Sequence, residues 1–255
     1  MINLEYWYVF PYAIFVATFA NASGFSGAVL FQPFFYFVLK TPVPQSIATG
    51  IATETIGMTG GAYQYARMKF HDYGVFKMLI PLSLMGVMIG YFFFVKLPGP
   101  PLKALVGLSM VIVAIIQFIS LNRVKNQDQN SKLGKYRFFA IFAGAFSAST
   151  GTGVAEMSQP MIEHVGKVPT KKANATAILL EASSDWLITI LNLSLGNIRY
   201  DILIFSVTGV LIGSQIGARL SPRLPDKLLK VVFAISVGII GIFYIFNYFK
   251  FLNLI

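Results

Sequence analysis

Displaced by 127 residues, the sequence lies over itself. Gln32-Pro33 falls on Gln159-Pro160, Lys40 on Lys167, Pro42 on Pro169, Ala48-Thr49 on Ala175-Thr176 and Glu54 on Glu181. The same offset carries Gly86 to Gly213, Gly90 to Gly217, Pro98 to Pro225 and Lys103 to Lys230. A register kept from Gln32 through Lys103 without a net gap makes the chain two copies of one unit, residues 1–121 and 136–255. A linker, residues 122–135, joins them and holds the polar run Asn126-Gln127-Asp128-Gln129-Asn130. Many secondary transporters are built from such a pair, with the substrate site between the copies.

Each copy is a series of five apolar segments. In the first they cover Trp7–Ala22, Gly27–Leu39, Pro44–Ala66, Tyr73–Val95 and Leu102–Leu121; in the second, Tyr136–Ala148, Val154–Val165, Lys171–Leu195, Asp201–Leu220 and Leu228–Tyr248. Several can cross a hydrocarbon core of about 30 Å at about 1.5 Å per residue. With 56% apolar residues, 12% charged residues and a mean hydropathy of +0.69, the composition is that of an integral membrane protein. The absence of cysteine removes disulfides, thiolate metal sites and cysteine nucleophiles. Glu5 near the start, with no basic residue before the first segment, predicts a first spanning helix and not a cleaved signal. The net charge of +10 sits between apolar segments, which fits membrane orientation and not nucleic-acid binding. Trp7 and Tyr8 read as interfacial anchors.

The second segment of each copy is short, about 20 Å of helix in Gly27–Leu39. If every segment changes sides and the N-terminus lies outside, only Lys40, Lys96, Lys103, Arg199 and Lys250 of the 20 basic residues remain outside. If the short segments return to their own side, the bias vanishes. The positive-inside rule therefore predicts ten topological segments and a cytoplasmic linker. An odd number per copy makes the copies antiparallel. The expected fold is an all-α integral membrane protein of about ten segments, two of them short and broken, arranged as an inverted 5+5 repeat. It would lie in the plasma membrane of a bacterium or archaeon.

Asn21-Ala22-Ser23-Gly24-Phe25-Ser26-Gly27 joins the first two segments, and Ser149-Thr150-Gly151-Thr152-Gly153 is its counterpart. Both lack charge and precede helices too short to span, so part of each must lie at membrane depth, where irregular backbone is tolerated only inside protein or along a wet cavity. Glycine permits the turn, Ser26 or Thr152 can cap the helix that follows, and uncapped N–H groups at the positive end of its dipole would favour an anion. Tight capped turns between packed helices are the structural alternative.

Ser23–Pro33 with Pro44–Thr53, echoed by Gly151–Pro160 with Pro169–Leu180, resembles the TauE/SafE family of sulfite and organosulfonate exporters. The resemblance covers nearly the whole chain and lies in the repeated pattern more than in either copy. It implies a membrane carrier for small sulfur-containing anions, commonly sulfite or a short sulfonate, and it implies export.

Glu54 and Glu181 each lie about ten residues into a third segment, roughly 15 Å along the helix. A carboxyl at that depth points to an ion or proton path. Asp185 lies one turn beyond Glu181, with Ser184 nearby, and Glu156 follows the second turn. Proton coupling at these four acids stands beside structural bonding between helices, and beside direct cation coordination at Glu54 and Glu181 as a third reading. The candidate substrate-binding set is Ser23, Gly24, Ser26, Gly27, Gln32, Thr49 and Thr53 of the first copy with Gly151, Thr152, Gly153, Gln159, Asn174 and Thr176 of the second. Neutral donors of this kind can hold the three oxygens of a sulfo group and still release it, although each can equally bond its own backbone. His71 and His164 sit near segment ends without matching partners, so no metal site is expected, nor any cofactor.

Gly86-x-x-x-Gly90 and Gly213-x-x-x-Gly217 read as close helix packing, and such faces permit a homodimer. An anion channel would use the same helix termini. An intramembrane enzyme could pair Glu181 with Asp185, but no nucleophile motif, cofactor loop or metal spacing supports one. A sensor or scaffold would ordinarily bring a soluble domain.

Overall fold

A computed structural model describes residues 4–94, 97, 99–121, 133–151 and 153–251. Most of the linker, together with Thr152, Lys96 and Pro98, lies outside the described residues. The helices are α1 (Val9–Ser23), α2 (Ala28–Pro33), α3 (Val43–Arg67), α4 (Tyr73–Phe94), α5 (Gly99–Leu121), α6 (Leu133–Tyr136), α7 (Phe139–Thr150), α8 (Val154–Pro160), α9 (Thr170–Ser194), α10 (Tyr200–Leu220) and α11 (Asp226–Phe251). No strand occurs among the described residues.

The 127-residue offset persists in the backbone. α3 and α9 begin and end in register, and α2 and α8 each pass into a π-helical turn, Phe34–Val38 and Met161–Val165. The cause is the matched proline that ends each α-helical piece, Pro33 and Pro160, which has no N–H to give the carbonyl four residues back. In the second copy that carbonyl belongs to Glu156, and Gln117 of α5 supplies the missing donor at 3.1 Å. Gly24 and Gly151 end α1 and α7 with φ of 81° and 71°, a left-handed conformation that glycine adopts at little cost. Lys40 and Lys167 leave the π turns with φ of 56° and 58°.

The first helix of each copy packs on the fourth of the other, α1 on α10 and α7 on α4. Small residues set the distance. A Cβ at Gly213 would overlap the Ile14 carbonyl and one at Gly217 the Thr18 carbonyl; in the other copy Gly86 and Gly90 press on the carbonyls of Ile141 and Ala145. Numbering rises together along both interfaces, so α1 runs parallel to α10 and α4 to α7. Equivalent helices instead meet head to tail. Thr55 bonds Thr189 at 2.7 Å and Thr59 receives Trp186 Nε1 at 3.0 Å, so α3 and α9 are antiparallel. Gly107 lies against Tyr244 and Ala114 against Gly238, so α5 and α11 are antiparallel too.

Five helices are long and apolar enough to cross a membrane: Tyr73–Phe93, Pro100–Leu121, Thr170–Ser194, Tyr200–Arg223 and Lys230–Lys250. α3 matches α9 in length but carries Ser46, Thr49, Thr53, Glu54, Thr55 and Gln64, all buried. α1, the α2–π unit and α7 are shorter apolar pieces. The outside of the bundle shows Phe15, Phe92, Phe93, Ile115, Ile239 and Ile242, while its inside holds Glu54, Glu156, Glu181 and Asp185. This inversion of the soluble pattern suits a protein solvated by lipid.

Candidate functional site

The two glycine-containing turns meet where α3 crosses α9. Glu54 reaches back from the middle of α3 to the start of α2. Its Oε1 accepts the Gly27 N–H at 2.6 Å, and its Oε2 accepts the Ala28 N–H at 2.9 Å and the Ser26 hydroxyl at 2.6 Å. Glu181 repeats the gesture in the second copy, its Oε2 accepting the Ala155 N–H, and Ala155 is the counterpart of Ala28. Glu156 then ties the copies together. Its Oε2 accepts the Gly153 N–H at 2.9 Å within its own turn, and its Oε1 accepts the Ser26 N–H of the other turn at 2.7 Å. Ser26 Oγ also lies 3.4 Å from the Gly151 carbonyl.

This geometry corrects one expectation. The N–H groups at the turns are not uncapped, because the chain's own carboxylates hold those of Ser26, Gly27, Ala28, Gly153 and Ala155. Nor does Ser26 cap α2; its hydroxyl goes to Glu54. An ionised carboxylate is the stronger acceptor for an orphan N–H, and charge-assisted bonds of this kind are about twice as strong as neutral ones.

Asp185, one turn along α9, completes the cluster. One carboxylate oxygen from each of Glu54, Glu181 and Asp185 lies within 4.8 Å of the others, and all three side chains are at most 2% exposed. Glu181 Oε1 and both oxygens of Asp185 have no hydrogen-bond donor among the described residues. A cavity of about 10 Å³ reaches Glu54 between α1, α3 and α10, lined among others by Asn21, Gly57 and Val210. That is room for about one water-sized group.

Of the neutral donors, Ser26, Gly27, Gly151, Gly153 and Gln32 gather here. Gln32 is fully buried against Gly151, and neither amide atom has a partner among the described residues. Gln159, its counterpart, is equally buried with an unpartnered Oε1. Asn174 packs its Oδ1 against Gly24 and gives Nδ2 to Ser221 at 3.3 Å. The rest point elsewhere. Ser23 bonds the Phe19 carbonyl at 2.7 Å, and Thr53 bonds Ser206 of α10 at 2.7 Å. Thr49 accepts the Arg199 N–H at 3.0 Å and Thr176 the Asp72 N–H at 2.9 Å, matched pins on the loops that lead into α10 and α4. Thr152 lies outside the described residues. His71 gives its Nε2 proton to the Ala62 carbonyl at 2.9 Å, and burial lowers its pKa, so it stands neutral.

Asn21 and Gln117 escaped the sequence reading. Asn21 is buried with an unpartnered Oδ1, and Gln117 serves the proline-freed carbonyl. A lone amide inside an otherwise apolar helix was the available signal for Gln117.

The ends of the broken segments are latched differently. Lys230 pairs with Glu163 at 2.9 Å, largely buried, while its counterpart Lys103 lies 4.8 Å above the ring of Tyr36, the counterpart of Glu163.

The profile of the sulfite exporter TauE/SafE family matches residues 9–244. A probable membrane transporter protein of Methanocaldococcus jannaschii is 22% identical over 238 residues, covering 86% of this chain and 88% of that protein. No solved structure matches the chain. A polar centre between repeated, lipid-facing helices and a family match over nearly the whole length lead to one conclusion: the chain belongs to the TauE/SafE family of membrane transporters.

Proposed function

We propose that the protein is an alternating-access carrier that moves small sulfur oxyanions, sulfite or a short organosulfonate, out of the cytoplasm. Ten topological segments form two inverted five-segment copies in a plasma membrane, with the N-terminus outside and the linker inside. The antiparallel pairs α3–α9 and α5–α11 support the inversion, because an equivalent helix pair can run head to tail only when one copy is turned over. The substrate class rests on the family match.

One observation carries the mechanism. Carboxylates hold the N–H groups that an oxyanion would need at the crossing of the two copies. Substrate gains those donors only when Glu54, Glu156 or Glu181 lets go, and a protonated carboxyl lets go more readily because it is a weaker acceptor. Substrate and protons thereby become linked, and rocking of one copy against the other exposes the shared centre to each side in turn. Gln32, Ser26 and Gln159 supply neutral contacts to the sulfo oxygens.

The test is flux in proteoliposomes of sulfite and sulfoacetate, with and without an imposed pH gradient, against chloride and sulfate. Saturable sulfur-anion flux driven uphill by protons is the expected result. Passive flux that never runs uphill would make the protein a channel. Absence of both fluxes beside a working control carrier would sink the substrate assignment.

A further inference from the structure

We propose that Glu54, Glu181 and Asp185 form a binding site for a hard metal cation at the crossing of α3 and α9. The position deepens the carrier reading, since a cation there would be a coupling ion, but the binding itself stands on geometry alone.

Two ligand oxygens on one such cation, each about 2.4 Å away, lie at most about 4.8 Å apart. The three carboxylates meet that limit, one oxygen from each falling within 4.8 Å of the others. They come from two antiparallel helices of different copies, so a cation would bridge the copies. Both oxygens of Glu54 are held by the Gly27, Ala28 and Ser26 donors, but the other two acids keep open oxygens. Glu181 spends one oxygen on the Ala155 N–H and leaves Oε1 free, and Asp185 spends neither. Asp185 is 1% exposed, so water does not serve its oxygens from the surface. No described lysine or arginine nitrogen forms an ion pair with any of the three. Three carboxylates this close in a low-dielectric interior repel strongly unless positive charge or protons join them.

Two further features bear on what a ligand would meet there. Asn21 is 1% exposed, and its Oδ1 has no partner among the described residues. That oxygen packs on Gly61, and the Asn21 side chain shares with Glu54 the lining of the water-sized cavity, so a small space adjoins one of the three carboxyls. The donor set is oxygen only. The chain has no cysteine, and His71 is spent on Ala62, so the site would select a hard ion such as Na⁺ or Ca²⁺ over zinc or copper.

Asp185 marks the second copy as the owner of the site, because the 127-residue offset places Met58 at the equivalent position. The chain has two tryptophans, Trp7 and Trp186. Trp186 follows Asp185 directly and bonds Thr59 across the same crossing, so it reports on this region.

The experiment uses purified full-length Trp7→Phe protein in nanodiscs, titrated with NaCl, LiCl, CaCl₂ and MgCl₂ against choline chloride at matched ionic strength. Trp186 fluorescence and thermal unfolding are read together. Saturable change with at least one metal is expected, weakened at least about tenfold in Asp185→Asn and in Glu181→Gln. If Asp185→Asn fails to fold, Asp185→Met, which copies the first repeat, takes its place. Absence of a saturable metal response in the parent protein overturns the site, as does an undiminished response in the folded variants. Neither readout needs transport, so failure of sulfite flux with intact metal binding would sink the substrate reading and leave this site standing.

Discussion

The two copies agree in their shell and differ at their centre. Gly86 on Ile141 mirrors Gly213 on Ile14, Thr49 on Arg199 mirrors Thr176 on Asp72, and the proline, π turn and left-handed lysine recur in each. At the crossing of α3 and α9 the match fails. Val29 stands where the second copy has Glu156 and Met58 where it has Asp185, and at the ends of the broken segments Tyr36 stands where it has Glu163. Contacts that shape the scaffold are repeated because each copy must fold onto the other in the same way. Of the central acids only Glu54 and Glu181 answer to each other, and the second copy holds three of the four. Under the proposed alternating-access reading, identical copies would have equal energies facing either side, so the unequal charges are where a preferred orientation and coupling would arise.

The largest expected effect tests the shared shell. Gly86→Leu and Gly213→Leu each push a side chain into a backbone carbonyl of the facing helix, at a cost of at least about 3 kcal/mol. Both variants should lose their monodisperse peak on size exclusion to the same extent. Loss in only one would break the equivalence of the α4–α7 and α1–α10 interfaces.

Next come the paired acids. Glu54 holds three donors and Glu181 one, and a hydrogen bond to a charged group contributes about 1.5–3 kcal/mol. Glu54→Gln should therefore lower proton-driven sulfite flux about a hundredfold and Glu181→Gln about tenfold. Equal losses would show that the two carboxylates work as one unit despite their different bonding.

The latches give the smallest effect. Glu163→Gln leaves the buried Lys230 ammonium without its counter-ion, worth up to about 3 kcal/mol. Tyr36→Leu removes a cation–π contact worth about 1 kcal/mol. Thermal unfolding in detergent should rank the two in that order, and a reversed ranking would remove the asymmetry between the ends of the molecule.

Much of the scaffold was legible in advance. Hydropathy located the segments, the offset paired them, and Pro33 and Pro160 marked where each short helix breaks. The expected bounds of the second segments end within one residue of the π turns. The site was legible in its members but not in its wiring. Thr49 and Thr176 are as well matched as Glu54 and Glu181, yet they pin loops, because the face of a helix that meets a neighbour depends on the crossing angle. Only the Gly153 N–H finds a local partner, in Glu156 three residues on; the N–H groups of the first turn are held by a glutamate 26 or 27 residues away and by one 130 residues away in the other copy.

The sequence by itself determined the helical membrane class, the 127-residue offset and the place of the acids along their helices, since hydropathy, proline and charge act within a few residues along the chain. Only the tertiary structure decided which groups those acids hold. It spent Glu54 and Glu181 on the starts of α2 and α8 and Glu156 on the opposite copy. Asp185 kept both oxygens open because the antiparallel crossing of α3 and α9 brings it beside two carboxylates and no hydrogen-bond donor among the described residues. Hydrogen bonds and charge repulsion act over a few ångströms of space, and distances of that size between remote residues are set by how helices pack.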